Sequence, residues 1–274
     1  MSAATHTPNT RAGVGTSASR ERNARLIAAV VFAVCAAVTW RAAQNMRGGM
    51  PMPGGWEMSM MWMSMPGQTL GGSAWMFLTM WQAMMIAMML PSSWPMLELY
   101  RRVAISSGGR WPGLATVAAG AGYFGVWLAF GAVVFAGGFG ISAGAMRSAP
   151  VSRAMPLAAG AALVVSGVFQ LTPWKQACLR HCRSPLLFLG HAWRPGFRGA
   201  VRVGIIHGAY CAGCCWALML IQSVLGVMNL AVMTAVAAVI GVEKLWRRGP
   251  VLARVAGVVA IGVGVWVVWA RGVR

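Results

Sequence analysis

Between Gly204 and Met219 the chain reads Gly-Ile-Ile-His-Gly-Ala-Tyr-Cys-Ala-Gly-Cys-Cys-Trp-Ala-Leu-Met, and its donors are His207, Cys211, Cys214, Cys215 and Met219. On a helix they fall at i, i+4, i+7, i+8 and i+12, one face of the cylinder. Thiolates are soft donors that suit Cu(I), while adding the imidazole makes a sulfur and nitrogen set that Zn(II) also accepts. The spacing speaks for a metal more strongly than for which metal. A second pair, Cys178 and Cys182, stands one helical turn apart, with His181 between them and Arg180 and Arg183 alongside. Neighbouring guanidinium groups lower a thiol's pKa, so this pair is expected to favour the thiolate. A lone cysteine in an apolar run is usually a small inert hydrophobe, and Cys35 reads that way. Three cysteines in five residues, with a histidine one turn earlier and a second pair nearby, argue against that reading for the clusters.

Methionine supplies a third group. Met84, Met85, Met88 and Met89 lie in an apolar run where Met76, Met80, Met84 and Met88 step by one helical turn. Ahead of it, Met46, Met50, Met52, Met58, Met60, Met61, Met63 and Met65 crowd a stretch broken by proline and glycine, which reads as a loop. Thioethers stay unprotonated at any pH and form no disulfides, which suits capture of Cu(I) in an oxidising compartment. The competing readings are packing for the helical stripe, because methionine often only fills gaps, and a membrane-surface loop of low complexity for the stretch ahead of it.

These donors need a scaffold, and composition indicates its class. The chain has 274 residues, 58% hydrophobic and 10% charged. That is too little charge to cover a soluble domain and enough apolar sequence for several membrane spans. A formal charge of +19 might invite a nucleic-acid partner, but the basic residues are scattered between apolar runs, so no nucleic acid is expected. They read as topology signals. The acidic residues are Glu21, Glu57, Glu98 and Glu243. None is expected deep in a span, which argues against a proton-coupled transporter. Glu243 beside Lys244 reads as a surface or interhelical ion pair.

Apolar runs occur at 26–40, 73–97, 114–139, 154–172, 203–222, 227–242 and 251–270. The implied fold is all-α, a polytopic membrane bundle of about seven transmembrane helices in a bacterial inner membrane. Lys and Arg concentrate in the N-terminal tail and after the second, fourth and sixth runs, which sets the chain N-in and C-out. The expected organisation is a disordered cytosolic tail at 1–24, a first transmembrane helix or signal-like anchor at 25–43, and a methionine- and glycine-rich outer loop at 44–72. A metal-binding membrane core at 73–248 and a last helix at 249–274 follow. Pro91 and Pro95 are expected to interrupt the second helix near its inner end. If the fifth span starts near residue 203, Cys211 lies about 12 Å deep and Cys215 about 18 Å. Cys178 and Cys182, in the preceding inner linker, would then be within reach.

Three stretches carry a resemblance: Trp81-Gln-Ala-Met-Met-Ile-Ala-Met-Met-Leu-Pro-Ser, Gln170-Leu-Thr-Pro-Trp-Lys-Gln-Ala-Cys-Leu-Arg-His-Cys-Arg-Ser-Pro, and His207-Gly-Ala-Tyr-Cys-Ala-Gly-Cys-Cys-Trp. With Gly226-Val-Met-Asn-Leu and Glu243-Lys244 they cover about residues 75–246. This part of the chain resembles a prokaryotic family of predicted metal-binding integral membrane proteins, some of whose members are labelled copper chaperones. The resemblance implies metal binding and supplies no reaction. The methionine-rich loop lies outside its motifs.

The sequence therefore points to a non-enzymatic membrane protein that captures, transfers or takes up Cu(I), with Zn(II) as the alternative ion. Its ligands would be Cys211, Cys214, Cys215, Cys178 and Cys182, supported by His207, Met84, Met85, Met88 and Met89. Its partners would be the lipid bilayer, the metal ion and a membrane metalloenzyme such as an oxidase under assembly. The rival is a membrane thiol-disulfide oxidoreductase. It is weakened because only Cys211 and Cys214 have Cys-x-x-Cys spacing, and they fall mid-span rather than at an exposed helix N-terminus. A structural subunit whose cysteines merely pack is the third reading.

Overall fold

The computed structural model describes residues 10–46, 48–62 and 67–272. Long apolar runs satisfy their own backbone groups only as helices, and helices dominate the chain. They are α1 (Thr10–Asn45), α2 (Leu70–Ser106), α3 (Pro112–Arg147), α4 (Ala149–Leu171), α5 (Pro173–Arg183), α6 (Pro185–Ala192), α7 (Gly196–Gly226), α8 (Leu230–Leu245) and α9 (Gly249–Gly272). Local chemistry sets several starts. Thr69 Oγ1 accepts from Gly72 N ahead of α2, Asn229 Oδ1 accepts from Ala231 N and Val232 N ahead of α8, and proline opens α3, α5 and α6.

An antiparallel hairpin of β1 (Gly49–Met52) and β2 (Trp56–Ser59) joins α1 to α2, with Gly49 opposite Ser59 and Met52 opposite Trp56. It marks one end of the bundle. There Trp56 Nε1 donates to Ser152 O, Ser152 Oγ donates to Pro53 O, and Arg271 reaches Gly54 O and Gly55 O. The opposite end is rich in arginine and collects the end of α2, α5, α6, the start of α7 and the end of α8. At this end Arg25 and Arg102 each bind both Glu21 and Glu98, at 2.7–2.9 Å, and so tie α1 to α2.

Between the ends, α3 packs along α7 and α4 along α9. Small residues permit these close approaches. A methyl group on Gly204 would collide with the Ala119 carbonyl oxygen, and one on Gly122 with that of Val201. α1, α2, α3, α4, α7 and α9 are long and apolar enough to cross a membrane. Their outward faces are apolar too, with Val30 and Val34 on α1, Val117 and Val133 on α3, and Val255 and Val258 on α9 all exposed.

The structure departs from the sequence expectations at four places. The segment read as a tail at 1–24 is helical from Thr10, while residues 1–9 lie outside the described residues. The stretch read as a loop contains the hairpin and a 3-10 turn at Met60–Trp62, with Met63 and Met65 outside the described residues. Helix α2 runs unbroken through Pro91 and Pro95, where Ser92 and Ser93 hydroxyls donate to the Met89 and Leu90 carbonyls at 3.0 and 3.2 Å. Serine hydroxyls of this kind help satisfy the backbone of a proline-bearing apolar helix. Finally, α8 has 16 residues, about 24 Å of helix, short of a hydrocarbon core of about 30 Å. Among the described residues six helices rather than seven are long and apolar enough to cross. Helix α8 still carries the chain from the hairpin end, where Asn229 and Leu230 line a cavity with Glu57, to the arginine end, where Arg183 holds Glu243 O.

Two outcomes are expected. The full chain should stay in the membrane pellet after an alkaline carbonate wash, and recovery in the supernatant would contradict a spanning bundle. Gly204→Leu should lower the thermal midpoint through an overpacking cost of about 1–3 kcal/mol, whereas the same change at Gly137, which faces open space, should not.

A candidate metal centre of thiols and thioethers

Helix α7 buries its donor stripe. Cys211, Cys214 and Cys215 are each 0% exposed, and His207 and Met219 are nearly so. Beside it runs α5, started by Thr172, whose hydroxyl accepts from Lys175 N at 3.3 Å. Lys175, Leu179 and Cys182 recur at one-turn intervals on α5, so they share the face that meets α7. Cys182 Sγ thereby comes to 3.9 Å from Cys214 Sγ, which is itself 3.4 Å from Cys215 Sγ. Cys211 shares the same buried core, and its carbonyl accepts from Cys214 Sγ at 3.2 Å.

Four of the five thiols expected to act together are thus gathered from two helices. Cys178 is the exception. It is half-buried and packs against the backbone at Gly213, next to Cys214 in sequence. Sulfurs at about 2.3 Å from one ion are roughly 3.8 Å apart in a tetrahedral shell and roughly 4.0 Å in a trigonal one. The Cys182 to Cys214 spacing fits either shell, and the Cys214 to Cys215 spacing is a few tenths of an ångström short. Among the described residues no group of three or more His, Cys, Asp or Glu side chains is placed so as to hold a metal ion. The thiols are apposed, with Cys214 Sγ between Cys182 Sγ and Cys215 Sγ.

Polar groups that the stripe alone does not indicate surround the sulfurs. Lys244 Nζ on α8 donates to Cys211 Sγ at 2.9 Å and to Ser92 Oγ at 3.3 Å. Tyr123 OH on α3 lies 2.9 Å from the same sulfur. Lys175 Nζ donates to Cys214 O and to Glu243 Oε2, both at 2.6 Å, and Gln170 Nε2 reaches Glu243 Oε1 at 3.4 Å. Glu243 is therefore deeply buried and paired with Lys175, not with the adjacent Lys244, which corrects both the surface pairing and the absence of a carboxylate inside the bundle. Arg183 NH1 donates to Glu243 O and NH2 to Arg247 O, so α5 also caps the end of α8.

The α5 thiols also behave differently from expectation. Burial pushes the Cys178 thiol above its ordinary value, opposed by Lys175 rather than by the flanking arginines. Cys182 is raised too, first through its bond with Cys211. Arg183 is occupied with the α8 carbonyls, which removes it as a counter-charge.

The expected thioethers line the same interior. Met84, Met85, Met88 and Met89 on α2 are all buried, and share one contiguous core with Met61, Met80, Met219, Met228, Met233 and the three α7 cysteines. Met76, by contrast, is exposed. Met84 Sδ accepts from Gln222 Nε2 at 3.4 Å. His207 lies one turn before Cys211, its ring 5.4 Å from Tyr123 and 5.3 Å from Phe188. Its Nδ1 is buried with no hydrogen-bond partner among the described residues. Such an orphaned nitrogen fits a latent donor.

A family model described as copper chaperone, PpoB2, matches residues 78–267, more than half of the chain. The chain belongs to this family. The copper chaperone match takes in every clustered thiol, the α2 methionines from Met80 onward, Lys175, Glu243 and Lys244. It leaves out the hairpin and its methionines. No curated protein and no solved structure matches the chain. The family description names a chaperone and not an enzyme, and it supports copper as the ion handled.

The spacing of the sulfur donors indicates neither Tyr123 nor Lys244 as a neighbour of Cys211, although Lys244 belongs to the Glu243-Lys244 motif. The buried Lys175–Glu243 pair holds α5, and with it Cys182, in place. Removing one partner of a buried pair costs about 3–5 kcal/mol, whereas replacing both with apolar groups is often tolerated. Glu243→Gln should therefore lower the thermal midpoint sharply, and Lys175→Met with Glu243→Leu should recover much of the loss. A double variant as unstable as the sum of the singles would refute the coupling.

Proposed function

We propose that the protein is a membrane-embedded chaperone for Cu(I), receiving the ion among thioethers and holding it on thiols for transfer. The observation that carries this reading is the meeting of Cys182 on α5 with Cys214, beside Cys215, on α7, in a chain of the copper chaperone family. Cys178 lies on the same short arm, and His207 and the α2 methionines are the supporting donors. Soft sulfur selects Cu(I) over hard cations.

Charge favours Cu(I) over Zn(II) at this place. Two thiolates and a monovalent ion carry one net negative charge, which the Lys244 ammonium beside Cys211 offsets. A divalent ion on the same pair would leave that ammonium uncompensated in a dry interior. Loading releases the thiol protons, because the thiolate is the ligand.

A route is supported at both ends. The hairpin end holds a cavity of about 720 Å³ lined in part by Met46, Met228 and Glu57. Met228 belongs to the core that includes Met80, Met84, Met88 and the thiols. The excess of arginine at the other end supports a cytoplasmic placement of that end, with N-in and C-out in a bacterial inner membrane. Copper then passes from outer thioethers to inner thiols. The recipient is a membrane metalloenzyme such as an oxidase under assembly, approached from the half-buried α5 thiols.

The test is competition for Cu(I) between reduced protein in detergent and a chromophoric chelator. Cys214→Ser and Cys182→Ser should each weaken binding by more than the 10–100-fold typical of losing an outer-shell partner, with Cys35→Ser unchanged. Unaltered affinity in both, or no competition together with rapid exchange against a dithiol donor, would overturn the reading in favour of redox chemistry.

A further inference from the structure

The arginine end contains a cavity of about 520 Å³ that the thiol centre does not use. Arg180 of α5, Arg194 of the turn before α7 and Arg202 of α7 all line it. None of the three makes an ion pair among the described residues, and no carboxylate lines the cavity. Three guanidinium groups brought together from three segments repel one another unless an anion lies between them. Their planar donor forks suit phosphate oxygens.

The rest of the lining is apolar or aromatic. Phe188, Ile206 and Tyr210 contribute, and His181 lies flat on Tyr210 with ring centroids 4.0 Å apart and planes within 4°. His181 Nδ1 and His191 Nδ1 are each held by the carbonyl four residues earlier, at 2.9 Å, so both rings are fixed walls. Leu187 lines the cavity while being 69% exposed, and its neighbour Leu186 is 72% exposed. The short helix α6 thus offers bare leucines directly beside a cationic hollow. A free phosphate or an acidic peptide would leave that apolar side uncovered, whereas a phospholipid covers both. Basic hollows between helices on the cytoplasmic side of a bilayer are favourable places for acidic headgroups.

We propose that this cavity binds an anionic phospholipid, its phosphodiester on Arg180, Arg194 and Arg202 and the start of an acyl chain along Leu187, Phe188 and Ile206. The proposal rests on the bilayer placement above and not on copper. Arg180 precedes Cys182 by two residues on α5, and Arg202 sits on α7. One headgroup therefore fastens α5 to α7, in the same sense as Lys175 does further in.

The experiment follows thermal unfolding of the full chain in neutral detergent while phosphatidylglycerol, phosphatidylcholine or inorganic phosphate is titrated in. Phosphatidylglycerol should raise the midpoint saturably. Its apparent affinity should fall about fivefold in Arg194→Gln and in Arg202→Gln, the weight of one basic side chain at an anionic surface, with Arg248→Gln unchanged. Equal stabilisation by phosphatidylcholine or by inorganic phosphate would overturn the proposal, as would an undiminished phosphatidylglycerol effect in both arginine variants. Failure of the bilayer placement would appear separately, as release by carbonate, and failure of the copper reading would leave these titrations unaffected.

Discussion

Among the described residues the interior buries two ammonium groups and one carboxylate, and the arrangement of the centre follows from that shortage. Glu243 is committed to Lys175 at 2.6 Å. Lys244 is left to find electron density elsewhere, and it turns to the sulfur of Cys211 and the hydroxyl of Ser92. A cation so deep in an apolar bundle is tolerated only where such acceptors receive its hydrogen bonds. The same geometry gives the sulfur cluster a built-in positive neighbour, and a soft monovalent ion suits that charge balance.

Reaching this arrangement required two departures from a plain up-and-down bundle. Helices α3 and α7 approach closely enough at Gly122 and Gly204 for Tyr123 to touch Cys211. The chain also folds α5 and α6 against the arginine end of α7 instead of looping freely away from it. Lys175 and Arg183 secure α5 at two points, one on the Cys214 carbonyl and one on the end of α8. Cys182 arrives at Cys214 as a result of that anchoring.

Much of this was legible beforehand. The α7 stripe and the α2 methionines obey a helical period, so their common burial followed from spacing, as did most of the long helices. What was not legible depends on contacts between distant segments. Adjacent residues on a helix point about 100° apart, so Glu243 and Lys244 face different neighbours, and sequence adjacency misled. Tyr123 carried no periodic signal. The prolines of α2 looked like breaks because the packing around them was invisible, and the hairpin hid in a methionine-rich stretch with no alternation. Arg183 looked like a counter-charge for the thiols until its carbonyl partners were in view. Depth along the fifth span put both linker thiols within reach of α7 but did not separate Cys182, which meets Cys214, from Cys178, which packs beside Gly213.

The core between the two ends is a dense sequence of methionine, aromatic and aliphatic side chains, with Trp81 and Trp127 among the fully buried ones. Thioether side chains are unbranched and turn about three soft bonds, so this part of the interior can repack around a guest of changing size without a large penalty.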